Sequence, residues 1–132
     1  MPIRSRTITA LAAAALAAGA LTAATATSAT AAPATAQSCY GSAKSYTTDP
    51  TYDFWPQGSA LATTTSNCGD INVKPNSDVK VHTCFRKSDG TDSCNADRTI
   101  KGGTWGLAAT AVLDGTKFWL VFSGSSSGLV AY

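Results

Sequence analysis

The four cysteines of this chain are the feature that most restricts its fold. Cys39, Cys68, Cys84 and Cys94 all lie within residues 37–132, after an alanine-rich N-terminal stretch. A chain of this size buries only about two-thirds of its unfolded surface, so its hydrophobic core is modest. Small secreted domains commonly strengthen such a core with disulfides. We therefore expect a single domain of small size, stapled by two disulfide bonds.

The N-terminal stretch has the three zones of a signal peptide. Two arginines precede an apolar run of mostly alanine and leucine at residues 8–21, and A-x-A cleavage sites end at Ala31 and Ala36. We favour Ala36, with Ala31 as the alternative. The apolar run is too short to span a bilayer of about 30 Å, which disfavours a membrane anchor. We expect residues 1–36 to be removed and residues 37–132 to be secreted, with no membrane association after cleavage.

Removal of this leader leaves a neutral protein. The whole chain has ten Lys and Arg residues against eight Asp. Arg4 and Arg6 belong to the leader, which leaves eight positive and eight negative residues. Attraction to phosphates supplies most of the affinity of nucleic-acid binding, and polybasic stretches supply the affinity for anionic lipid. We therefore expect no nucleic-acid partner and no electrostatic contact with a membrane.

An Asp-Gly pair predicts a first hairpin. Residues 79–85 alternate in polarity and lead to Ser88-Asp89-Gly90, a turn sequence. A three-residue loop at this turn places Cys84 opposite Cys94. Four cysteines allow three pairings, and this register favours a Cys84–Cys94 disulfide, leaving the other two cysteines to pair with each other.

The spacing of Cys84 and Cys94, followed by Asn95, is similar to a hairpin disulfide in the secreted neocarzinostatin-type chromoprotein apoproteins, which are β-sandwiches. The similarity covers about a dozen residues. It implies a disulfide that joins the two strands of a hairpin, and it transfers no ligand site to this chain.

A second Asp-Gly pair, Asp114-Gly115, separates residues 104–113 from residues 116–122. A two-residue loop would pair these segments so that small residues of the first face large residues of the second. The pattern predicts a hairpin with one strongly apolar face. Trp119 falls on the opposite, more mixed face.

Further strand patterns occur at residues 40–46, 60–66 and 70–73, and a last strand ends the chain at 129–132. Helix signals are poor, because glutamate is absent and no apolar stripe repeats every 3.6 residues. Several short strands separated by turns predict an all-β fold, a small antiparallel β-sandwich or barrel. We expect it to be monomeric.

Residues able to catalyse a reaction are few. His82 is the only histidine, and the period-two pattern places it on the solvated face of its strand. The nucleophile-elbow motif G-x-S-x-G is absent from the sequence. Oxidised cysteines offer no thiolate. We expect a protein that is not an enzyme, and a small hydrolase or toxin using His82 is the least favoured interpretation.

Turn chemistry explains most of the aspartates, since Asp-Gly and Asp-Pro pairs begin turns. Oxygen-bearing side chains, the ligand type that calcium prefers, cluster around the first hairpin, but they lack the EF-hand spacing. These residues are Asp89, Asp92, Asn95 and Asp97. We expect no metal site and no cofactor.

Aromatic side chains are the better functional candidates. Tyr52, Phe54 and Trp55 lie in one proline-flanked loop, and Trp119 lies on a mixed strand face. Aromatic rings stack on sugars and anchor protein interfaces. The competing interpretation is that Phe54 or Trp55 closes one end of the core. We take these four residues as candidate ligand-binding residues.

These observations favour a secreted, non-enzymatic binding protein whose ligand is an extracellular polysaccharide or a protein surface. The alternative is an inhibitor of a secreted hydrolase, either a protease or a glycosidase. Such an inhibitor would present a rigid loop, for which residues 49–58 and 88–91 are candidates.

Overall fold

A computed structural model describes residues 34–132, with side chains from residue 38 onward, as ten short strands preceded by one helix. The elements are α1 (Ala34–Gly41), β1 (Lys44–Thr47), β2 (Phe54–Trp55), β3 (Ala62–Thr63), β4 (Ile71–Pro75), β5 (Val79–Arg86), β6 (Asp92–Cys94), β7 (Arg98–Ile100), β8 (Gly106–Ala109), β9 (Lys117–Phe122) and β10 (Ser127–Ala131). All strand pairs are antiparallel, which confirms the predicted all-β class.

The predicted signal peptide lies almost entirely outside the described residues. Its last positions, from Ala34, enter α1, which also takes up the start of the strand expected at residues 40–46. That strand is therefore shorter than expected and begins at Lys44. No helix among the described residues is long and apolar enough to cross a membrane.

Sheet A has the strand order β1-β10-β4-β8. The C-terminal strand is central in it, because Val130 pairs with Lys44 on one side and with Val73 on the other. Val73 and Val130 are fully buried, as is Ile71 at the start of β4. The predicted last strand is therefore confirmed, and it lies inside the sheet.

Sheet B is built around β9, which pairs with β5 along one edge and with β2 and β3 along the other. Beyond β5 lie β6 and β7. Side chains from both sheets form one hydrophobic core; its fully buried members include Ile71, Val73, Val81, Phe118, Leu120 and Val130. Burying each such side chain contributes about 1.5–3 kcal/mol, so this core is the main source of stability.

The first predicted hairpin is confirmed, and its register is the one expected. Cys84 pairs with Cys94, Arg86 pairs with Asp92, and Gly90 adopts a φ of +85° in the loop. The Cys84–Cys94 disulfide forms across the two strands. Glycine suits this loop because the left-handed backbone region is sterically costly for other residues.

The second disulfide, Cys39–Cys68, is also the predicted one. It ties α1 to the segment before β4 and packs with Ala131 in a small separate cluster. Trp105 packs against this cluster and stacks on Tyr40, with 4.6 Å between ring centroids. Trp105 lies directly before β8, which begins at Gly106, and is not a strand residue.

The second predicted hairpin is wrong. β8 pairs with β4 in sheet A, whereas β9 pairs with β5 and β3 in sheet B. Residues 110–116 consequently cross from one sheet to the other. Asp114-Gly115 still forms a turn, with Gly115 at a φ of +76°, but the turn belongs to this crossover.

The backbone groups of the crossover find partners outside it. The amide of Val112 donates to the Gly69 carbonyl at 2.8 Å, and the amide of Gly115 donates to the Thr64 carbonyl at 2.9 Å. The Thr64 amide donates in turn to the carbonyl of Thr116 at 3.0 Å. Non-local segments thus supply the backbone partners that a hairpin ladder would otherwise provide.

Candidate functional site

The outer face of sheet B carries the aromatic and charged side chains of interest. Strand residues alternate between faces, so β9 directs Phe118, Leu120 and Phe122 into the core. Trp119 and Val121 lie between them in sequence and are half-buried. Trp119 is thus on the solvent side of the sheet, as the sequence predicts.

The neighbours Phe54 and Trp55 point in opposite directions. Phe54 pairs with Val121 of the outer face, whereas Trp55 pairs with Leu120 of the core. The Trp55 ring packs against the rings of Phe118 and Tyr132, at centroid distances of 6.4 and 5.9 Å. Of the four candidate residues, Trp55 therefore belongs to the core and does not share the outer surface.

Phe54 and Trp119 line one groove on this face, together with Arg86 and residues 58–61. We call it the aromatic groove. Its volume is about 280 Å³, close to the lower end of the range for small-molecule sites, about 300–1,000 Å³. Because it is open to solvent, it suits one or two units of a longer ligand.

Tyr52 extends the aromatic surface beyond the groove. Its side chain is 69% exposed, and its ring stacks on Phe54 with 5.8 Å between centroids and 17° between planes. An exposed tyrosine parallel to a second ring presents an apolar face and a polar hydroxyl together. The structure thus brings Tyr52, Phe54 and Trp119 to one side of the molecule.

The loop that carries Tyr52 is internally braced. One carboxylate oxygen of Asp49 accepts hydrogen bonds from the Thr51 amide at 2.8 Å and the Tyr52 amide at 3.3 Å. Asp53 adopts a left-handed φ of +53°, and its carbonyl accepts a hydrogen bond from the Phe122 amide. Such a conformation costs on the order of 1–3 kcal/mol in a non-glycine residue and persists where surrounding contacts impose it. These contacts fix Tyr52 and Phe54 before any ligand arrives.

Arg86 is a site residue that sequence reasoning missed. Its guanidinium lies 5.7 Å from the centre of the Trp119 ring, within the range of a cation–π contact. Asp92 accepts hydrogen bonds from its Nε and Nη2 atoms, and this pairing raises the pKa of Arg86. The signal was the hairpin register itself, which places Asp92 opposite Arg86.

His82 lies elsewhere on the same face, in a shallow pocket of about 150 Å³. Its Nδ1 atom is 2.8 Å from an Asp97 oxygen. Ser123 and Lys80 also line this pocket, but no described side chain hydrogen-bonds to the other ring nitrogen. The arrangement is a surface hydrogen bond between His82 and Asp97, without the aligned nucleophile that acyl transfer needs.

The oxygen-bearing side chains around the first hairpin are each engaged separately. Asp89 accepts from Thr91, Asp92 from Arg86, Asn95 from the Thr83 amide, and Asp97 approaches His82. The atoms of His82, Cys84 and Cys94 lie within 4.8 Å of one another. Both sulfurs are joined in a disulfide, so they are not the thiolates that a metal ion binds.

Comparison with known proteins adds no assignment: no family model, curated protein or solved structure matches this chain.

Proposed function

We propose that this chain is a secreted, non-enzymatic protein that binds a polysaccharide on the outer face of sheet B. One observation carries the proposal: Phe54 and Trp119 line a single open groove, and Tyr52 stacks on Phe54 beyond it. Sugar rings have apolar faces that stack on aromatic rings, and the braced Tyr52 loop reduces the ordering that binding requires. The two disulfides are consistent with an oxidising, extracellular environment.

Affinity electrophoresis in gels containing soluble glycans tests this proposal. The panel contains xylan, mixed-linkage β-glucan, galactomannan and solubilised peptidoglycan, with the protein obtained by expressing the full chain. We expect at least one glycan to retard the wild type. Stacking aromatic contacts contribute about 0.5–1.5 kcal/mol, so Tyr52→Ala should weaken that binding about twofold to tenfold.

Tyr40→Ala is the matched control. Tyr40 is also exposed, at 41%, and also stacks on one ring, that of Trp105 beside the Cys39–Cys68 disulfide. The Tyr40→Ala variant should bind the glycan as tightly as the wild type does. Equal losses in the two variants, or no retardation by any glycan in this or a wider panel, would remove the proposal.

The braced loop also supports a second candidate function, inhibition of a secreted hydrolase. The Asp49 carboxylate holds the backbone around an exposed Tyr52, as a loop that enters an enzyme cleft requires. A panel of secreted proteases and glycosidases, each assayed with micromolar protein, tests this function. Inhibition that Tyr52→Ala relieves would support it, whereas full activity of every enzyme would eliminate it.

A further inference from the structure

Like charges meet at one end of the aromatic groove. Lys117 of β9 lies directly opposite Arg86 of β5, and both belong to the outer face of sheet B. Side chains in such positions have Cβ atoms about 4.5–5.5 Å apart, and like charges there are destabilising. Lys87 adds a third positive charge at the next position along the chain. Three positively charged side chains therefore lie together at this end of the sheet.

The nearby acidic groups do not neutralise the two lysines. Asp92 is paired with Arg86, and Asp89 accepts hydrogen bonds from the amide and hydroxyl of Thr91 at 2.8 and 2.6 Å. Asp114 is exposed on the crossover and forms no ion pair with either lysine. Among the described residues, the side-chain ammonium groups of Lys87 and Lys117 consequently have no ion-pair or hydrogen-bond partner.

These positive charges line a second groove that continues the aromatic one. It has a volume of about 760 Å³ and lies between the hairpin tip and the crossover; we call it the basic groove. Arg86, Lys87 and Lys117 line it with one acidic residue, Asp89, so positive charge is in excess, and Arg86 also lines the aromatic groove. Leu113, at 80% the most exposed large hydrophobic residue of the part of the chain that the structure describes, borders it on the crossover side. A chain molecule that lies in one groove therefore reaches the other.

We propose that the polysaccharide bound by this face is anionic. This inference rests on the proposed glycan-binding function and defines its ligand class. Sugar rings stack on Trp119 and Phe54, while a carboxylate or sulfate of a neighbouring unit lies between Arg86 and Lys117. An oxyanion at that position contacts the unpaired ammonium of Lys117 and the guanidinium of Arg86, which Asp92 also contacts. The lysine ammonium is a compact point charge that binds either anion.

Matched pairs of polymers separate charge from sugar. Polygalacturonate is compared with its methyl ester, and dextran sulfate with dextran, by isothermal titration calorimetry on the protein expressed from the full chain. Summing a few exposed charge contacts, we expect the charged member of at least one pair to bind about tenfold tighter than its neutral partner. Raising NaCl from about 0.05 M to about 0.5 M should remove most of that difference. The responding pair distinguishes a carboxylate ligand from a sulfate ligand.

Lys117→Gln should weaken binding of the charged polymer about twofold to fivefold and leave binding of the neutral polymer unchanged. Lys80→Gln is the control, because Lys80 lies on the same strand face as Arg86, six residues or about 20 Å away. Lys80→Gln should change neither the binding of the charged polymer nor that of the neutral polymer. Equal losses in the two lysine variants would overturn the inference.

Other outcomes separate this inference from the proposed function. If neutral and charged polymers bind equally, at low and high salt, the inference fails while glycan binding stands. If no polysaccharide binds, both fail. Polyglutamate is the last arm: binding of polyglutamate as tight as that of polygalacturonate, and unchanged in Tyr52→Ala, would show that the groove recognises charge without a sugar, which also overturns the inference.

Discussion

The two faces of sheet B are built from the same strands and differ in almost every property. On the inner face, Phe118 and Leu120 of β9 have no solvent exposure. On the outer face, Trp119 lies between them in sequence, stays half-buried, and lines an open groove with a charged neighbour, Arg86. Strand alternation alone produces this separation.

Because the two faces contact different surroundings, stability and recognition can be altered independently in this protein. An inner-face ring contacts both sheets, so its loss leaves a cavity. An outer-face ring such as Tyr52 contacts mainly Phe54 and solvent. Substitutions on the two faces should therefore separate into those that change the free energy of unfolding and those that change binding.

The largest effect should come from the inner face. Leu120→Ala removes a fully buried side chain and should lower the free energy of unfolding by about 2–5 kcal/mol. Val121→Ala, one residue along and on the outer face, should cost less than about 1 kcal/mol. Urea denaturation measures both. Similar losses in the two variants would contradict the assignment of faces.

The two disulfides should differ in how much they stabilise the protein. In the chain-entropy model, Cys39–Cys68 contributes about 3.6 kcal/mol and Cys84–Cys94, which closes a shorter loop, about 2.8 kcal/mol. A Cys39→Ser/Cys68→Ser variant should therefore lose more stability than the equivalent hairpin variant. Amide hydrogen exchange in the first variant should rise at residues 39–68 and stay slow in β9. This expectation would be contradicted if amide exchange became rapid in β9 while residues 39–68 exchanged as slowly as in the wild type.

A substitution in the crossover between the sheets should instead stabilise the protein slightly. Ala111 has a left-handed φ of +53°, and its amide donates to an Asp70 oxygen at 2.8 Å. Ala111→Gly removes the steric cost of that conformation, although glycine adds entropy to the unfolded chain. We expect the free energy of unfolding, measured by thermal denaturation, to rise by at most about 1 kcal/mol. A clear loss would show that the backbone here is unstrained.

Acid should produce the smallest effect, localised to the first hairpin. Hydrogen bonds from the Thr91 hydroxyl and amide lower the pKa of Asp89 below its usual value. A depressed folded-state pKa gives stability that is present above the unfolded pKa of about 3.9 and is lost as pH falls through the folded value. Asp89→Asn should therefore lessen the decrease in melting temperature below about pH 4. Asp114→Asn is the control, and a matching change there would refute the assignment.

Local sequence was sufficient to predict the first hairpin. Polar alternation in β5, a turn sequence with Gly90 in the left-handed region and two cysteines at matching distances from the turn all favour one register. Each of these signals lies within about a dozen residues, so no distant contact competes with it. The disulfide pairing followed from that register, which is why both bonds were predicted correctly.

Distant contacts decided what the sequence could not show. Asp114-Gly115 resembles the first turn, but Thr64 and Gly69 pair with the backbone around it and divert the chain into the other sheet. At the candidate site, Phe54 and Trp55 follow a loop with an irregular backbone, so their facing depends on the register between β2 and β9. No pattern within the loop records that register.

The tryptophan indole signals in a ¹H–¹⁵N spectrum test whether a polysaccharide binds to the outer face of sheet B. Each of three environments holds one tryptophan: Trp119 in the aromatic groove, Trp55 against the core and Trp105 stacked on Tyr40. Titration with short oligomers of galacturonate and of xylose should shift the Trp119 indole signal and leave the signals of Trp55 and Trp105 in place. A shift of Trp105 with Trp119 unmoved would contradict the assignment of binding to the outer face of sheet B, as would three unmoved signals at saturating oligomer.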